Sequence, residues 1–340
     1  MRRPWLLPLN PLYAFGLAWK NRSFDRNTHR GNTLVQPVVS VGSLSAGGAG
    51  KTPFVIALGA AIRNAGYGID VLSRGHGRAG AETLRVSAVG TADEFGDEPL
   101  LIAQRLLCPV YVGRERFKAG EWAERDRRHA REDKRLSIHL LDDGFQHRQL
   151  ARAVDIVLLT AEDVRDALLP AGNLREPLRS LRRAGVILLR EDEAAALEPV
   201  LARVFAKRPL PPVWTIQRRY AFVEGKPSAR PLAFCGIARP DGFRAALAGL
   251  GVVPAEVIAL KDHALYDDGV IQRLLARAAA VGADGFVTTA KDAVKLTPTL
   301  RQALTEFAPL AVLDVMVEMD DAPRRVAELL AMVQSWWTRT

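Results

Sequence analysis

The clearest chemistry in the chain lies in a glycine-rich segment, Ser45-Ala46-Gly47-Gly48-Ala49-Gly50-Lys51-Thr52. The segment follows an apolar run that predicts a strand and precedes a helical pattern, which is the context of a phosphate-binding loop. Glycines in such a loop let backbone amides surround phosphate oxygens, and the helix N-terminus adds partial positive charge. Lys51 can reach the β- and γ-phosphates, and the Thr52 hydroxyl can ligate Mg²⁺. We therefore expect a site for ATP and Mg²⁺ here, rather than a chance glycine-rich turn.

Two features distinguish this loop from those of other nucleotide-binding proteins. A GTPase carries an Asn-Lys-x-Asp element that reads the guanine base, whereas Lys291 and Asp292 are adjacent in this chain. ATPases of the ParA and MinD type place a lysine just before the paired glycines, and Ala46 occupies that position here. Both differences favour a kinase that phosphorylates a small molecule.

Carboxylates and a histidine in other segments could serve such a loop. Asp142 ends an apolar run, where a P-loop protein places its second Mg²⁺ anchor, although an Asp-Gly turn gives the same pattern. Asp97 and Glu98 open a predicted helix, and helix capping alone would also explain both residues. Asp262-His263 follows a predicted strand, and a pair of this kind is more often structural than catalytic. With the phosphate loop present the metal role is favoured for Asp142, and the pattern leaves the roles of the other candidates open.

Apolar β-branched runs alternate with helical patterns, which predicts a mostly parallel sheet with helices on both faces. The predicted strands of the first part are 37–42, 69–73, 109–112, 137–141, 154–159 and 185–189, and the predicted helices are 52–65, 98–107 and 114–131. A proline-rich linker at 207–213 precedes a second set of strands at 231–235, 256–260, 285–289 and 311–317. The segment Arg175-Glu176-Pro177 lies in a connection too irregular for the core, and such charged loops often hold substrate.

Length and composition limit the remaining possibilities. The chain has 340 residues, of which 48% are hydrophobic and 25% charged, and these globular values exclude disorder, collagen and coiled coil. Cys108 and Cys235 form no CxxC pair, which argues against a disulfide framework or a zinc site and suits a reducing compartment. We expect a membrane-interface segment at 1–30, a P-loop kinase domain at 31–215 and a second, smaller α/β domain at 216–340.

The N-terminal segment combines apolar, aromatic and basic residues. Residues 1–30 carry six basic side chains and one acidic one, a large share of the formal net charge of +9. Prolines interrupt the uncharged stretch between Arg3 and Lys20, so it should not span a bilayer, and no secretory cleavage site follows it. A helix that begins at Asn10 would place Leu12, Phe15 and Trp19 on one face. This pattern is typical of a helix lying in a membrane interface, and a helix packed on the core is the equal alternative.

Together these segments resemble the tetraacyldisaccharide 4′-kinase family of lipid A biosynthesis, in the same order and over nearly the whole chain. The shared motifs are VGSLSAGGAGKTP, VLSRGHGR, GDEP, VYVGRERFKAG, LDDGFQHRQL, LLPAGNLREP, FCGIARPDGF, KDHALY and VTTAKDAVKL. The resemblance implies transfer of the γ-phosphate of ATP to the 4′-hydroxyl of a tetraacylated glucosamine disaccharide 1-phosphate, which gives lipid IVA. The family usually has Asn at Ser43 and commonly Thr at Ala49 and Tyr at His76, and none of these departures removes a catalytic group.

The resemblance also points to residue roles. Asp97, paired with His263, would accept the proton of the sugar hydroxyl, and Asp143 is the competing base. The expected Mg²⁺ ligands are Thr52, Asp142 and Glu98. The expected contacts with the acceptor are Arg116, Gln146, His147, Arg175 and Glu176. Because His263 belongs to the second predicted domain, we expect a cleft that closes when both ligands bind.

The expected partners are the lipid substrate and the membrane surface, on the cytoplasmic face of the Gram-negative inner membrane, with no nucleic acid and no obligate protein partner. Three alternatives differ in what they predict. A kinase acting on a soluble sugar or cofactor precursor would need neither detergent nor lipid. A nucleotide switch would hydrolyse ATP slowly without transfer to an acceptor. A nucleic-acid-binding ATPase would show steeply salt-dependent binding to DNA or RNA.

Overall fold

The computed structural model describes residues 3–26, 32–47, 50–130 and 136–338, so Gly48 and Ala49 of the predicted phosphate loop lie outside the described residues. The strands are β1 (Val38–Ser43), β2 (Gly68–Ser73), β3 (Leu84–Arg85), β4 (Val110–Val112), β5 (Ser137–Asp142), β6 (Val154–Leu158), β7 (Val186–Arg190), β8 (Val213–Glu224), β9 (Leu232–Cys235), β10 (Glu256–Ala259), β11 (Phe286–Thr289) and β12 (Leu310–Met319). The helices are α1 (Asn10–Arg26), α2 (Lys51–Asn64), α3 (Ala92–Phe95), α4 (Asp97–Leu106), α5 (Arg116–Ala130), α6 (Ala161–Arg165), α7 (Glu191–Val204), α8 (Pro240–Gly249), α9 (Asp268–Val281), α10 (Ala290–Ala293), α11 (Pro298–Phe307) and α12 (Ala322–Trp337).

One sheet connects the strands of the described chain, in the order β10-β9-β11-β12-β8-β7-β6-β1-β5-β2-β4-β3. Neighbours from β8 to β4 pair in parallel, and so do β10, β9, β11 and β12. The long strands β8 and β12 pair antiparallel and join the two groups, which therefore run in opposite directions. The prediction of a mostly parallel α/β fold with a second α/β part is confirmed.

The parallel strands are short and buried on both faces, which explains their nearly continuous apolar sequences. The main core lies between β1, β2, β5 and helices α2 and α4, and the C-terminal helix α12 adds Val326, Leu329 and Val333 to it. The predicted domain boundary after residue 215 falls inside β8, whose first residue, Val213, is the last residue of the predicted linker. The helix α12, counted in the second predicted domain, packs on the first part of the chain. The division into domains stays a prediction.

A buried charged group links three of these elements. His139 of β5 is fully buried, with Nδ1 2.6 Å from a carboxylate oxygen of Asp70 in β2 and Nε2 3.4 Å from one of Glu124 in α5. Burial works against a charge on this imidazole, but the two carboxylates outweigh burial and raise the pKa of His139 to about 9. Arg127 of α5 also pairs with Asp70, at 3.1 Å. A charged histidine therefore stabilises the packing of α5 on the sheet.

The N-terminal segment forms a 3₁₀ helix at Pro4–Leu9 that leads into α1, which begins at Asn10 as predicted. The large apolar side chains of its outer face are strongly exposed: Trp5 75%, Leu12 71%, Phe15 76% and Trp19 76%. These four side chains are therefore not packed on the protein's own core. None of the helices among the described residues has both the length and the apolar character needed to cross a bilayer.

Candidate active site

The phosphate loop lies between β1 and α2, as predicted. Strand β1 is buried along its length and ends at Ser43. Gly50 precedes α2 with φ 97°, and Gly47 has φ 77°, both in the left-handed region that favours glycine. Lys51 and Thr52 form the first turn of α2, and Thr52 is buried there. The sequence therefore builds a helix N-terminus next to the loop, where backbone amides and the helix dipole favour phosphate.

A second loop, residues 171–177 of the LLPAGNLREP motif, lies along the phosphate loop. The Ala46 amide donates a hydrogen bond to the Asn173 carbonyl at 2.8 Å. Ser45 forms an isolated antiparallel β-bridge with Leu174. The backbone of the predicted substrate loop thus fixes one side of the phosphate loop.

Two basic side chains from these loops converge on Asp143. Lys51 Nζ lies 3.4 Å from Asp143 Oδ1, and Arg175 Nη1 lies 2.8 Å from Asp143 Oδ2. Gln146 accepts a hydrogen bond from Arg175 at 3.2 Å and donates one to the Ser43 carbonyl at 2.9 Å. Burial alone would raise the pKa of Asp143, but the charges of Lys51 and Arg175 outweigh burial and lower it. The phosphate-loop lysine and two predicted substrate residues therefore form one network around a charged carboxylate.

Asp142 ends β5, next to β1, and is fully buried. Its Oδ2 accepts a hydrogen bond from Ser73 at 3.3 Å, whereas its buried Oδ1 has no hydrogen-bond partner. Burial and the negative charges of Glu98 and Asp143 raise the pKa of Asp142 to about 7. Among the described residues, no group of three or more His, Cys, Asp or Glu side chains is arranged to hold a metal ion. The unpartnered oxygen amid other carboxylates nevertheless fits Mg²⁺, which uses one or two carboxylates and takes its other ligands from phosphate and water.

Asp97 and His263 lie together although 166 positions separate them in the sequence. Asp97 is buried at the start of α4, and its Oδ2 lies 3.0 Å from His263 Nδ1. Burial would raise the pKa of Asp97, but the hydrogen bond with His263 and the charge of Lys291 outweigh it and lower the pKa. The same hydrogen bond raises the pKa of His263. The structure therefore brings the two predicted residues into the geometry of an oriented carboxylate, and their catalytic role stays a prediction.

Lys291 is a neighbour of this pair that the sequence analysis missed. Its Nζ lies 3.0 Å from Glu98 Oε1, 3.7 Å from Asp97 Oδ2 and 4.0 Å from Asp262 Oδ1. Burial lowers the pKa of Lys291, but these carboxylates outweigh burial and the net pKa is raised. The available signal was its position just after β11, in the shared VTTAKDAVKL motif. Lys291 connects the second part of the chain to the predicted base and metal ligand.

Basic side chains also crowd the predicted acceptor side of the site. Arg116 is buried, and its Nη1 donates to the Arg114 carbonyl at 2.9 Å, while its Nε has no hydrogen-bond partner. Burial and the nearby charge of Arg74 lower the pKa of Arg116 to about 10. Burial and the charge of Arg116 lower the pKa of His147 to about 4. A neutral imidazole among buried cations makes an environment that favours an anionic ligand.

Glu176 has a different surrounding from the other predicted substrate residues. It is buried, and its two carboxylate oxygens accept hydrogen bonds from Arg183 at 2.8 and 2.9 Å. The same carboxylate accepts a hydrogen bond from Asn21 of α1 at 3.3 Å, and Tyr13 donates one to the Arg175 carbonyl at 3.0 Å. These contacts attach α1 to the substrate loop. A direct contact between Glu176 and substrate stays a prediction.

Comparison with known proteins gives one consistent result. The family described as tetraacyldisaccharide-1-P 4′-kinase matches residues 2–334. A tetraacyldisaccharide 4′-kinase of Koribacter versatilis is 38% identical over 335 residues, covering 96% of this chain and 98% of the relative. A tetraacyldisaccharide 4′-kinase of Aquifex aeolicus is 33% identical over 311 residues, covering 87% of this chain and 90% of the relative. A crystal structure of the "apo" form of LpxK from Aquifex aeolicus in complex with ATP gives a TM-score of 0.73 at 29% identity. The match covers 97% of this chain and 99% of the solved one.

Proposed function

Because the chain belongs to the tetraacyldisaccharide-1-phosphate 4′-kinase family, we propose that its phosphate loop and the Asp97–His263 pair together phosphorylate the 4′-hydroxyl of the lipid disaccharide. The chain is an ATP-dependent kinase of lipid A biosynthesis whose product is lipid IVA. The observation that carries the assignment of the site is the 3.0 Å contact between Asp97 and His263. This contact orients the buried Asp97 carboxylate, which is adjacent in sequence to Glu98. Besides burial, the charge of Glu98 raises the pKa of Asp142, so the Asp97–His263 pair lies close to the predicted metal ligands.

The donor side of the reaction belongs to the phosphate loop. Backbone amides of the loop and the N-terminus of α2 would bind the phosphates of ATP, and Lys51 would neutralise the β- and γ-phosphates. Lys51 now pairs with Asp143, so its ammonium group is already held at the carboxyl end of the central strands. Arg175 pairs with the same carboxylate and is available for the charge that develops on the transferred group.

Mg²⁺ would be held by Asp142, with the Thr52 hydroxyl and Glu98 as further ligands. When bound, Mg²⁺ neutralises phosphate charge during transfer. The support for Asp142 is its buried, unpartnered Oδ1. Glu98 is paired with Lys291 at 3.0 Å, so Lys291 neutralises this carboxylate in the described arrangement.

Asp97 is the base that the contacts favour over Asp143. Phosphoryl transfer needs an acceptor for the proton of the sugar hydroxyl, which is a poor nucleophile. Asp143 is engaged by both Lys51 and Arg175, at 3.4 and 2.8 Å, whereas Asp97 pairs with the His263 imidazole at 3.0 Å and has Lys291 at the longer distance of 3.7 Å. His263 would fix the orientation of the Asp97 carboxylate and balance its charge as the proton is transferred.

The acceptor side and the N-terminal face fit an anionic lipid. Arg116 and His147 lie in the cationic environment described above, which suits the 1-phosphate of the disaccharide. The exposed face of α1 would insert into the membrane interface, and its basic neighbours Lys20 and Arg22 would contact anionic lipid head groups. This arrangement supports peripheral binding to the cytoplasmic face of the inner membrane, where the lipid acceptor is presented.

A transfer assay with matched acceptors tests the function. Purified protein, γ-labelled ATP and Mg²⁺ are incubated with tetraacyldisaccharide 1-phosphate in detergent micelles, and the lipid product is separated and counted. We expect a bis-phosphorylated lipid, and no labelled product from the fully deacylated disaccharide 1-phosphate at the same concentration. Equal labelling of the deacylated acceptor would indicate a soluble-sugar kinase. ATP hydrolysis without label in either acceptor would indicate a nucleotide switch.

A further inference from the structure

The motif VTTAKDAVKL contains a buried ion pair with no role in the reaction described so far. Asp292 and Lys295 lie 2.7 Å apart, with side chains 0% and 5% exposed. Thr289 donates a hydrogen bond to Asp292 at 2.6 Å, and Lys295 lies over the ring of Tyr266 at 5.0 Å from its centroid. Removing two charges from water carries a large desolvation cost, so such a pair needs precise partners to persist.

The partners of the pair lie on both sides of His263. The Asp292 carboxylate accepts a hydrogen bond from the Gly236 amide at 3.0 Å, and the Gly236 carbonyl accepts one from the His263 amide at 3.3 Å. Lys295 Nζ donates to the Ala264 carbonyl at 3.2 Å. The contacts therefore form a closed ring through Asp292, Gly236, His263, Ala264 and Lys295.

Two geometric features show that this ring of contacts is tightly packed and that it holds an unusual backbone conformation. A Cβ atom at Gly236 would lie 3.2 Å from Asp292 Oδ1 and 3.4 Å from Lys295 Nζ, so a larger side chain would press against both charged groups. His263 has φ 57°, a left-handed conformation that a non-glycine residue holds only when its surroundings enforce it. In this conformation its Nδ1 lies 3.0 Å from Asp97.

We propose that the Asp292–Lys295 ion pair is a positioning device for phosphoryl transfer, which holds the backbone of His263 in the left-handed conformation that presents the imidazole to Asp97. The inference rests on the proposed role of the Asp97–His263 pair. The contacts of Asp292 and Lys295 described above do not include residues 45–47 or 50–52, the part of the phosphate loop that the structure describes. Removal of the ion pair should therefore act on kcat and leave the KM for ATP unchanged. The effect should also pass entirely through His263.

A double-mutant cycle tests whether the ion pair acts through His263. The four proteins are the wild type, Lys295→Met, His263→Ala and the combination, each assayed for kcat and for the KM of ATP and of the lipid acceptor. We expect Lys295→Met to lower kcat by about tenfold or more, with both KM values within about twofold, because an oriented base contributes roughly 10²–10⁴-fold. In the His263→Ala background, Lys295→Met should change kcat by less than about twofold, since residues that act as one unit are non-additive.

Buried charge left without a partner could unfold the protein, so a second variant is needed. Asp292→Asn combined with Lys295→Met removes both charges and keeps an oxygen for the Gly236 amide, and we expect it to retain a cooperative thermal unfolding transition and still lose kcat. Arg301→Met breaks an exposed ion pair with Glu224 at 2.8 Å in the same part of the chain, and it should leave kcat unchanged.

The outcomes separate the two hypotheses. A folded Asp292→Asn/Lys295→Met protein with wild-type kcat would overturn the positioning role, and so would losses of Lys295→Met and His263→Ala that multiply. If His263→Ala keeps the wild-type kcat, the proposed role of the Asp97–His263 pair fails. In that case a loss of kcat in Lys295→Met would show that the ion pair does not act through His263.

Discussion

Replacing Trp5, Phe15 and Trp19 with serine should release the protein from anionic membranes without unfolding it. The three rings are 75%, 76% and 76% exposed, so they contribute little to packing within the protein. Full burial of a large apolar side chain contributes roughly 1.5–3 kcal/mol, so three-quarters of a ring contributes about 1–2 kcal/mol in a membrane interface. The three rings together contribute about 3–6 kcal/mol, which corresponds to a loss of about a hundredfold or more in vesicle partitioning.

The assay is co-sedimentation with vesicles of defined composition, followed by kinetics with the lipid acceptor. Binding of the wild type should weaken at high salt, because Lys20 and Arg22 each add about 1 kcal/mol on an anionic surface and salt screens this attraction. The triple variant should also show a higher apparent KM for the lipid acceptor. Its apparent KM for ATP should hardly change, since the phosphate loop lies outside the altered segment.

Exposed apolar residues elsewhere provide the control. Val89 and Val253 are 94% and 75% exposed, and replacing them with serine should leave vesicle binding at the wild-type level. The reasoning is refuted if the triple variant binds vesicles as tightly as the wild type does. Unchanged binding together with a large fall in melting temperature would show that the three rings stabilise the protein itself.

Three further predictions concern the site and the core. Lys51→Ala should lower kcat by roughly 10²–10³-fold with little change in melting temperature, because its ammonium group neutralises phosphate charge; near-normal turnover would contradict the P-loop assignment. Asp97→Asn and His263→Ala should each lower kcat strongly, and the double variant should lose little more than the worse single; losses that multiply would make Asp143 the leading base. His139 has its pKa raised from an unfolded value of about 6.5 to about 9, so its stabilising charge is fully present below about pH 6.5 and lost as pH rises through 9. Denaturant unfolding across this range should show that loss, and His139→Asn should remove this histidine-dependent part of the pH dependence.

The fold was predictable from the sequence where a local pattern alone determines the element. Buried parallel strands read as apolar runs, and the glycine pattern at 45–52 places the turn between β1 and α2, so both were found within a few positions. Strand β8 was missed entirely, because its start follows prolines that indicated a linker and its later residues are polar or half-exposed. Its stability comes from pairing with β12, almost a hundred positions away, which no local pattern reports.

The site was predictable only in part, for a related reason. The resemblance of the motifs predicted that Asp97 pairs with His263, and the structure places Asp97 Oδ2 3.0 Å from His263 Nδ1. Lys291 was missed because a lysine after a strand usually lies in solvent, and its partner Glu98 is 193 positions away. The hydrogen bonds that Glu176 accepts from Arg183 and Asn21 were equally unpredictable, since neither partner belongs to a recognisable motif.

The contacts of α1 give a physical link between the exposed N-terminal face and the phosphate loop. The inner side of α1 donates to the substrate loop through Tyr13, and the first turn of the same helix accepts from the Ala171 amide through Asn10 at 3.3 Å. That loop in turn binds the backbone of the phosphate loop at Ala46. Side chains of α1 thus bind backbone atoms of the substrate loop, and backbone atoms of that loop bind the phosphate loop, so hydrogen bonds connect the helix that carries the exposed aromatic face to the loop that carries Lys51. If the proposed membrane contact is made through that face, substitution of Tyr13 by phenylalanine should lower the transfer rate more than it lowers vesicle binding, because it removes the hydrogen bond to the substrate loop and keeps the exposed rings.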